Sequence, residues 1–257
     1  MYRKFLNNRP ILKNKWELEK LRIANAIVME VLLALKEEVK PEKTTFEFEE
    51  LALKFCEKKR VKPAFKGYRG YPYALCVSVN EVIVHGMPDK EKVLKEGDIV
   101  SFDFGVIYEG YVGDAALTVG VGKISEEAKK LLKVTEEALY KGIEKARFGN
   151  RIGDISSAIQ KHVEAHGFNV IREFVGHGVG RQLHEPPEVP NYGKPGKGPK
   201  IEIGMVLAIE PMVSAGDYRV EILEDGWTAV TKDRSLAAHF EHSVAITPEG
   251  PEILSRI

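Results

Sequence analysis

The sequence predicts an α+β fold of two similar halves, each a helix pair followed by antiparallel strands. Three observations carry that prediction. The chain runs twice through one order: a long helical pattern, a polar break, a shorter helical pattern, then strand-like segments. The segments IVSFDFGV and YVGDAALTV are rich in β-branched and aromatic residues, and the YEG between them suits a tight hairpin turn. Five residues of metal-ligand type each sit inside their own short strand-like segment, drawn from both halves.

Taken in order, residues from about Asn14 to Lys36 read as an amphipathic helix, and after KPEKTT a second helix runs to about Arg60. Strands follow, among them the hairpin above. Ser125, with Glu127 and neighbouring acids behind it, starts a third helix that is expected to reach about Ala146. GNRIGD breaks it, and a shorter helix to about Ala165 leads into more strands. Residues 1–14 are expected to be an N-terminal extension, and 15–257 a single domain, a size that buries a large core.

Bulk composition excludes several function classes. Lys+Arg and Asp+Glu both number 38, so no net charge draws the chain to nucleic acid or a membrane surface. Cys56 and Cys76 lack metal or redox spacing, which fits a reduced cytoplasmic location. MYRKFLNNRP has no apolar core for a signal peptide, and no run approaches transmembrane length.

The chemistry lies in Asp103 of SFDFG, Asp114 of VGDAALTV, His177 of GHGVGR, Glu210 of LAIEPM and Glu241 of HFEHSVAI. Four hard carboxylates and one imidazole suit two divalent cations of the Mn, Fe or Co type better than a thiolate zinc site. Four negative charges match two dications, and metal coordination lowers the pKa of a bound water to about 7. If Ile107 pairs with Gly110, Asp103 lies directly across from Asp114, a repulsion that a cation between them relieves. For one aspartate alone the ordinary alternative is a solvent-facing position, or for Asp114 a turn with Gly113. GHGVGR is not a dinucleotide loop, because QLHEPPEVP after it cannot open a helix. Its glycines are expected to let backbone pass close to metals and substrate.

The segments VNEVIVHGMP, DFG, GDAALT, GHGVGRQLHEPP, IEPM and DGWTAVTKDRSLAAHFEHSVAIT, in this order and spacing, resemble type I methionine aminopeptidases from about Lys15 to Leu254. The resemblance implies a pita-bread fold, a pseudo-twofold repeat around a dinuclear metal site, and removal of the initiator methionine from nascent polypeptides. It implies nascent N-termini as partners, with transient ribosome contact and a monomeric state. It also implies a small residue after the methionine, so that Met1 ahead of Tyr2 stays in place.

By the same resemblance Asp103 holds one metal, Asp114 and Glu241 bridge the pair, and His177 with Glu210 completes the other. Glu210 is then also the proton shuttle. His184 is expected at the oxyanion, and His85 to hold or protonate the leaving nitrogen. Phe65, Tyr68, Tyr71, Cys76 and Trp227, with His85 and His184, are expected to line the substrate pocket, where aromatic edges and a thiol suit a thioether. Taken singly, each aromatic could simply fill core. His162, His166 and His242 read as structural, and His239 is open. Phe65, Arg69 and Leu183 depart from the commonest pattern, where Cys, His and an aromatic are usual, leaving the five ligands intact.

Two other classes share parts of this pattern. Prolidases and aminopeptidase P carry the same five ligands but usually add an N-terminal domain. Non-catalytic modules of the fold characteristically lose ligands, and none is lost here.

Overall fold

The structure, a computed structural model, describes residues 9–256. Met1 and Tyr2, with the rest of residues 1–8, lie outside the described part. Four helices form its outer layer: α1 (Lys15–Glu37), α2 (Thr45–Lys59), α3 (Glu126–Ile143) and α4 (Ile152–Ala165). Their starts follow from capping. The Asn14 and Thr44 side chains each accept from the backbone N–H three residues on, and Glu17 and Glu47 reciprocate. Ser125 caps α3 in the same way, on the Ala128 N–H. That helix stops at Ile143 instead of reaching Ala146. Its last residues tighten into turns, Lys145 N–H donating to Gly142 and Ala146 N–H to Ile143.

The strands form one nine-stranded sheet and two small three-stranded ones. Across the large sheet the order is Lys62–Pro63, Ile99–Tyr108, Tyr111–Gly120, Glu241–Thr247, Val206–Ile209, Gly176–Gly178 and Glu185–Val189. Leu75–Val79 also pairs with Ile99–Tyr108, and Gly250–Ile253 with Glu241–Thr247. All pairings are antiparallel, so the expected class holds. The halves meet where Glu241 and His242 pair with Ala116 and Ala115.

Each half packs its helices on one face of this sheet. Val28, Leu32 and Leu35 of α1 and Phe48 of α2 bury against Val77, Phe102, Phe104 and Ala115. Leu131 of α3 and Ile155 and Ile159 of α4 do the same against Leu207, Ile209, Val244 and Ile246. Period-two alternation then turns Asp103, between Phe102 and Phe104, to the opposite face. Gly113 lets α1 come down hard on its strand. A Cβ there would lie 2.5 Å from the Ala24 carbonyl carbon and 2.7 Å from the Asn25 nitrogen.

The hairpin corrects one expectation. Its turn is Glu109-Gly110, both with positive φ (47° and 83°), as the twist of a two-residue hairpin loop requires. Tyr108 therefore pairs with Tyr111 and Ile107 with Val112, not Gly110. Asp103 faces Ala116, and Asp114 faces Gly105. The two aspartates still share a sheet face, as diagonal neighbours two residues apart in register.

The expected N-terminal extension is in part built into the fold. Lys13, just ahead of α1, is buried and ion-paired to the buried Glu185 beside His184. Its backbone N–H donates to Gly204.

Candidate metal centre and substrate cavity

Sheet pairing assembles the carboxylates. Cys76, Asp103, Ala116 and Glu241 form one row across four neighbouring strands. Asp114 lies two residues along from Ala116 on the same face. His177 pairs with Ala208, two residues before Glu210, while His242 pairs with Ile209. The Nε2 of His177 lies 3.5 Å from Glu210 Oε1 and 3.8 Å from Asp114 Oδ2.

Backbone contacts hold these side chains. The Asp114 N–H donates to Asn25 Oδ1 from α1, and its carbonyl accepts from Ser243 Oγ. Asn191 Nδ2 donates to the Glu210 carbonyl. His177 Nδ1 is 3.0 Å from the Gly178 carbonyl, which only accepts, so Nδ1 carries the proton and Nε2 presents its lone pair to the carboxylates.

The electrostatics are those of a site built for cations. Burial, and then the neighbouring carboxylates, raise Asp114 and Glu241 well above the usual carboxylate range. Burial pushes Asp103 and Glu210 up to about 7, against the pull of His239 and His177 respectively. Asp103 Oδ1, Asp114 Oδ1 and Glu241 Oε1 are buried with no hydrogen-bond partner, a costly state for oxygens that nothing coordinates. Ligand atoms of Asp114, His177 and Glu241 lie within 4.8 Å of one another, as do those of Glu210, His239 and Glu241. Oxygen-rich donors with imidazole, and orphaned oxygens pointing inward, fit divalent cations.

This cluster forms part of the wall of a cavity of about 340 Å³. Every residue expected at the site from sequence lines it: the five ligand candidates and Phe65, Tyr68, Tyr71, Cys76, His85, His184 and Trp227. Arg69 and Leu183 line it too. Tyr71 stands edge-on to Trp227, centroids 5.2 Å apart, and its hydroxyl lies within hydrogen-bond distance of the Leu75 and Gly86 carbonyls. Cys76 is beside Asp103, and burial followed by that charge raises its thiol well above its normal value. It is a neutral, apolar lining group.

Two imidazoles face the cavity uncharged. Burial, then His239, lowers His85 to about 4, and its ring stands perpendicular to Phe174. Burial, then His177, lowers His184 to about 2. Tyr68 Oη is 2.7 Å from His184 Nδ1. Burial raises the Tyr68 phenol, which keeps its proton. With that hydroxyl as the donor, His184 Nδ1 accepts and the ring proton is on Nε2.

Sequence left His239 open, and the structure puts it in the centre. Its Nε2 is 3.4 Å from Glu210 Oε2 and has no hydrogen-bond partner. Thr118 latches it by accepting from its N–H and donating to its carbonyl. Phe174, Met212 and Ile222 also line the cavity without having been singled out. His242 turns away, to Ser255 and Tyr140, as strand alternation implies. Gly176 and Gly178 of GHGVGR serve close strand packing instead of approach to the site, and Gly180 makes room for the Lys13 and Glu185 side chains. A Cβ on Gly176 would sit 2.3 Å from the Ala208 carbonyl oxygen, and one on Gly178 2.5 Å from that of Pro186. The segment after them forms the strand Glu185–Val189.

Comparison with known proteins agrees with this geometry. The model of metallopeptidase family M24 matches residues 19–248. A methionine aminopeptidase of Clostridium perfringens is 56% identical over 247 residues, covering 96% of this chain and 99% of its own. The chain belongs to the methionine aminopeptidases of family M24. Membership implies a divalent metal cofactor, which the donor set fits. Among solved structures, the methionine aminopeptidase of Thermotoga maritima superposes with a TM-score of 0.96 at 55% identity, over 97% of this chain and 100% of that one. The prolidase of Pyrococcus furiosus shares the pita-bread fold alone, with a TM-score of 0.79 at 23% identity, and this chain spans 66% of its length.

Proposed function

We propose that this protein removes the N-terminal methionine from newly made polypeptides, with two divalent ions of the Mn, Fe or Co type held by Asp103, Asp114, His177, Glu210 and Glu241. One observation carries the reading: a buried carboxylate cluster opens directly into a cavity walled by Phe65, Tyr71, Cys76 and Trp227. Aromatic edges and a neutral thiol favour a polarizable thioether, and a charged side chain there would be desolvated without a partner.

A bound ion supplies a Lewis acid for the scissile carbonyl and lowers the pKa of a water to about 7. The chain's own groups do the rest. Glu210, beside His177 and His239, takes a proton on one carboxylate oxygen and passes it toward the leaving amine. His184, with its proton on Nε2, donates a hydrogen bond to the carbonyl oxygen as negative charge develops there. His85 is neutral at working pH, so of its two expected roles it fits holding the leaving nitrogen better than supplying a net proton. Arg69, Leu183 and Phe65 shape the cavity wall where this chain departs from the common pattern. The expected setting is the cytoplasm, with the enzyme acting as a monomer on nascent N-termini in transient contact with the ribosome. Among the described residues no helix is long and apolar enough to cross a membrane.

Protein reconstituted with Mn²⁺ or Co²⁺ is expected to release methionine from Met-Ala-Ser, to release nothing from Ala-Pro peptides, and to leave Met-Tyr-Arg intact. Cleavage of Ala-Pro in preference to Met-Ala-Ser would overturn methionine specificity. Equal cleavage of Met-Tyr-Arg would overturn only the demand for a small second residue.

A further inference from the structure

Away from the cavity, the outer helical layer gathers a second set of ligand-type side chains. His162 is in the last turn of α4 and His166 caps its C-terminal end, four residues on and about one turn away, so the two share a face. Glu137 reaches them from α3. One ligand atom from each lies within 4.8 Å of the other two. His162 Nε2 is 3.1 Å from Glu137 Oε2, and the imidazole centroids are 4.6 Å apart. His166 Nδ1 is 2.8 Å from the His162 carbonyl oxygen. A carbonyl only accepts, so Nδ1 carries the proton and Nε2 keeps a lone pair. The same device orients His177 in the cavity.

We propose that Glu137, His162 and His166 form a second cation site on the α3–α4 surface, selective for zinc or nickel over the harder ions of the cavity. Two imidazoles and one carboxylate are the donors of open zinc sites that leave a fourth position to water. One carboxylate and two nitrogens are also a softer set than the four carboxylates and one histidine inside. On binding, the cation takes the Nε2 position that His162 shares with Glu137, and the neutral ring keeps its one proton on Nδ1. Bonds of about 2.0–2.1 Å put tetrahedral ligands roughly 3.4 Å apart; His162 Nε2 and Glu137 Oε2, at 3.1 Å, are already near that separation, and atoms no more than 4.8 Å apart close by at most about 1.4 Å. Side chains that are at least partly exposed have room for that. Two lysines border the site. Lys133 Nζ is 3.9 Å from Glu137 Oε1 and its side chain is 74% exposed, so it turns readily to water. Lys130 Nζ donates to the His166 carbonyl.

The test counts zinc and does not depend on what the enzyme cleaves. Full-length protein, His166→Ala and Glu137→Gln are dialysed against micromolar zinc, and bound metal per chain is measured by elemental mass spectrometry. Each variant is expected to hold one zinc fewer than the parent, or to bind that zinc at least about tenfold more weakly, since even the loss of an outer hydrogen-bond partner costs a metal site 10–100-fold. Methionine release and far-UV circular dichroism are expected to match the parent in both variants. Equal zinc content and affinity in all three proteins would overturn the site. Loss in His166→Ala with full retention in Glu137→Gln would overturn the three-ligand assignment and leave a bare histidine pair.

Discussion

At the scale of single residues, the five ligand candidates were legible because each is a ligand-type side chain in its own short strand-like segment, as Asp103 is between Phe102 and Phe104. His239 was not, because its place depends on Thr118, 121 residues away in sequence, which clasps its backbone across the sheet. Phe174, Met212 and Ile222 look in sequence like any core residue, and only the cavity distinguishes them. Asp103→Ala is expected to abolish metal binding and turnover with the fold retained, because it removes one of the mutually repelling buried carboxylates. Near-native cleavage with full metal content would sink the assignment. His184→Ala should lower kcat by roughly 10²–10³-fold, the loss of one oxyanion donor, with metal stoichiometry unchanged. Tyr68→Phe makes a sharper case. Without the phenol proton on Nδ1, His184 is free to move its own proton there, away from the substrate oxygen. A fall in kcat of about 10-fold or more is expected, at constant metal content; a change in KM alone would mean that Tyr68 only lines the pocket.

Helices were the most legible elements, since their starts rest on local capping chemistry at Asn14, Thr44 and Ser125. The hairpin was legible as a hairpin but not in register. Register depends on which residues take left-handed backbone, and Glu109 doing so beside Gly110 is not a propensity that a sequence displays. The close crossing of α1 over the strand Tyr111–Gly120 was likewise invisible, because Gly113 could equally have marked a turn. Gly113→Ala is expected to push α1 away from the Asn25 contact that holds Asp114. The cost should be about 1–3 kcal/mol, as for overpacking elsewhere. Urea unfolding measures that cost and metal titration the weakened site. Unchanged stability and metal affinity together would show that the helix yields without strain.

For the whole molecule, the cavity couples stability to pH and to metal. Without ions the folded chain keeps protons on Asp103 and Glu210 up to about pH 7, and burial with the neighbouring carboxylates holds protons on Asp114 and Glu241 well above the ordinary carboxylate range. An unfolded chain has released them above about pH 4, so these groups lower stability as pH rises. The imidazoles oppose them below about pH 6.5, where unfolded histidines take up protons that His85, His177, His184, His239 and His242 refuse when folded. Above that value the carboxylates act alone. Chelated protein should therefore lose Tm as pH rises from about 6.5 to 7, while Mn²⁺-loaded protein should not; a flat chelated profile over that span would refute the coupling. The row from Cys76 through Asp103 and Ala116 to Glu241 has one more consequence, for how the chain finds its native pairing. A slip of one residue among the strands that carry Asp103, Asp114 and Glu241 would rotate a carboxylate out of the cavity and into the aliphatic layer beneath the helices. The ions would then find an incomplete set of oxygens. Metal capture thus acts as a proofreader of strand alignment, rewarding only the chain in which separate pairings are correct at once.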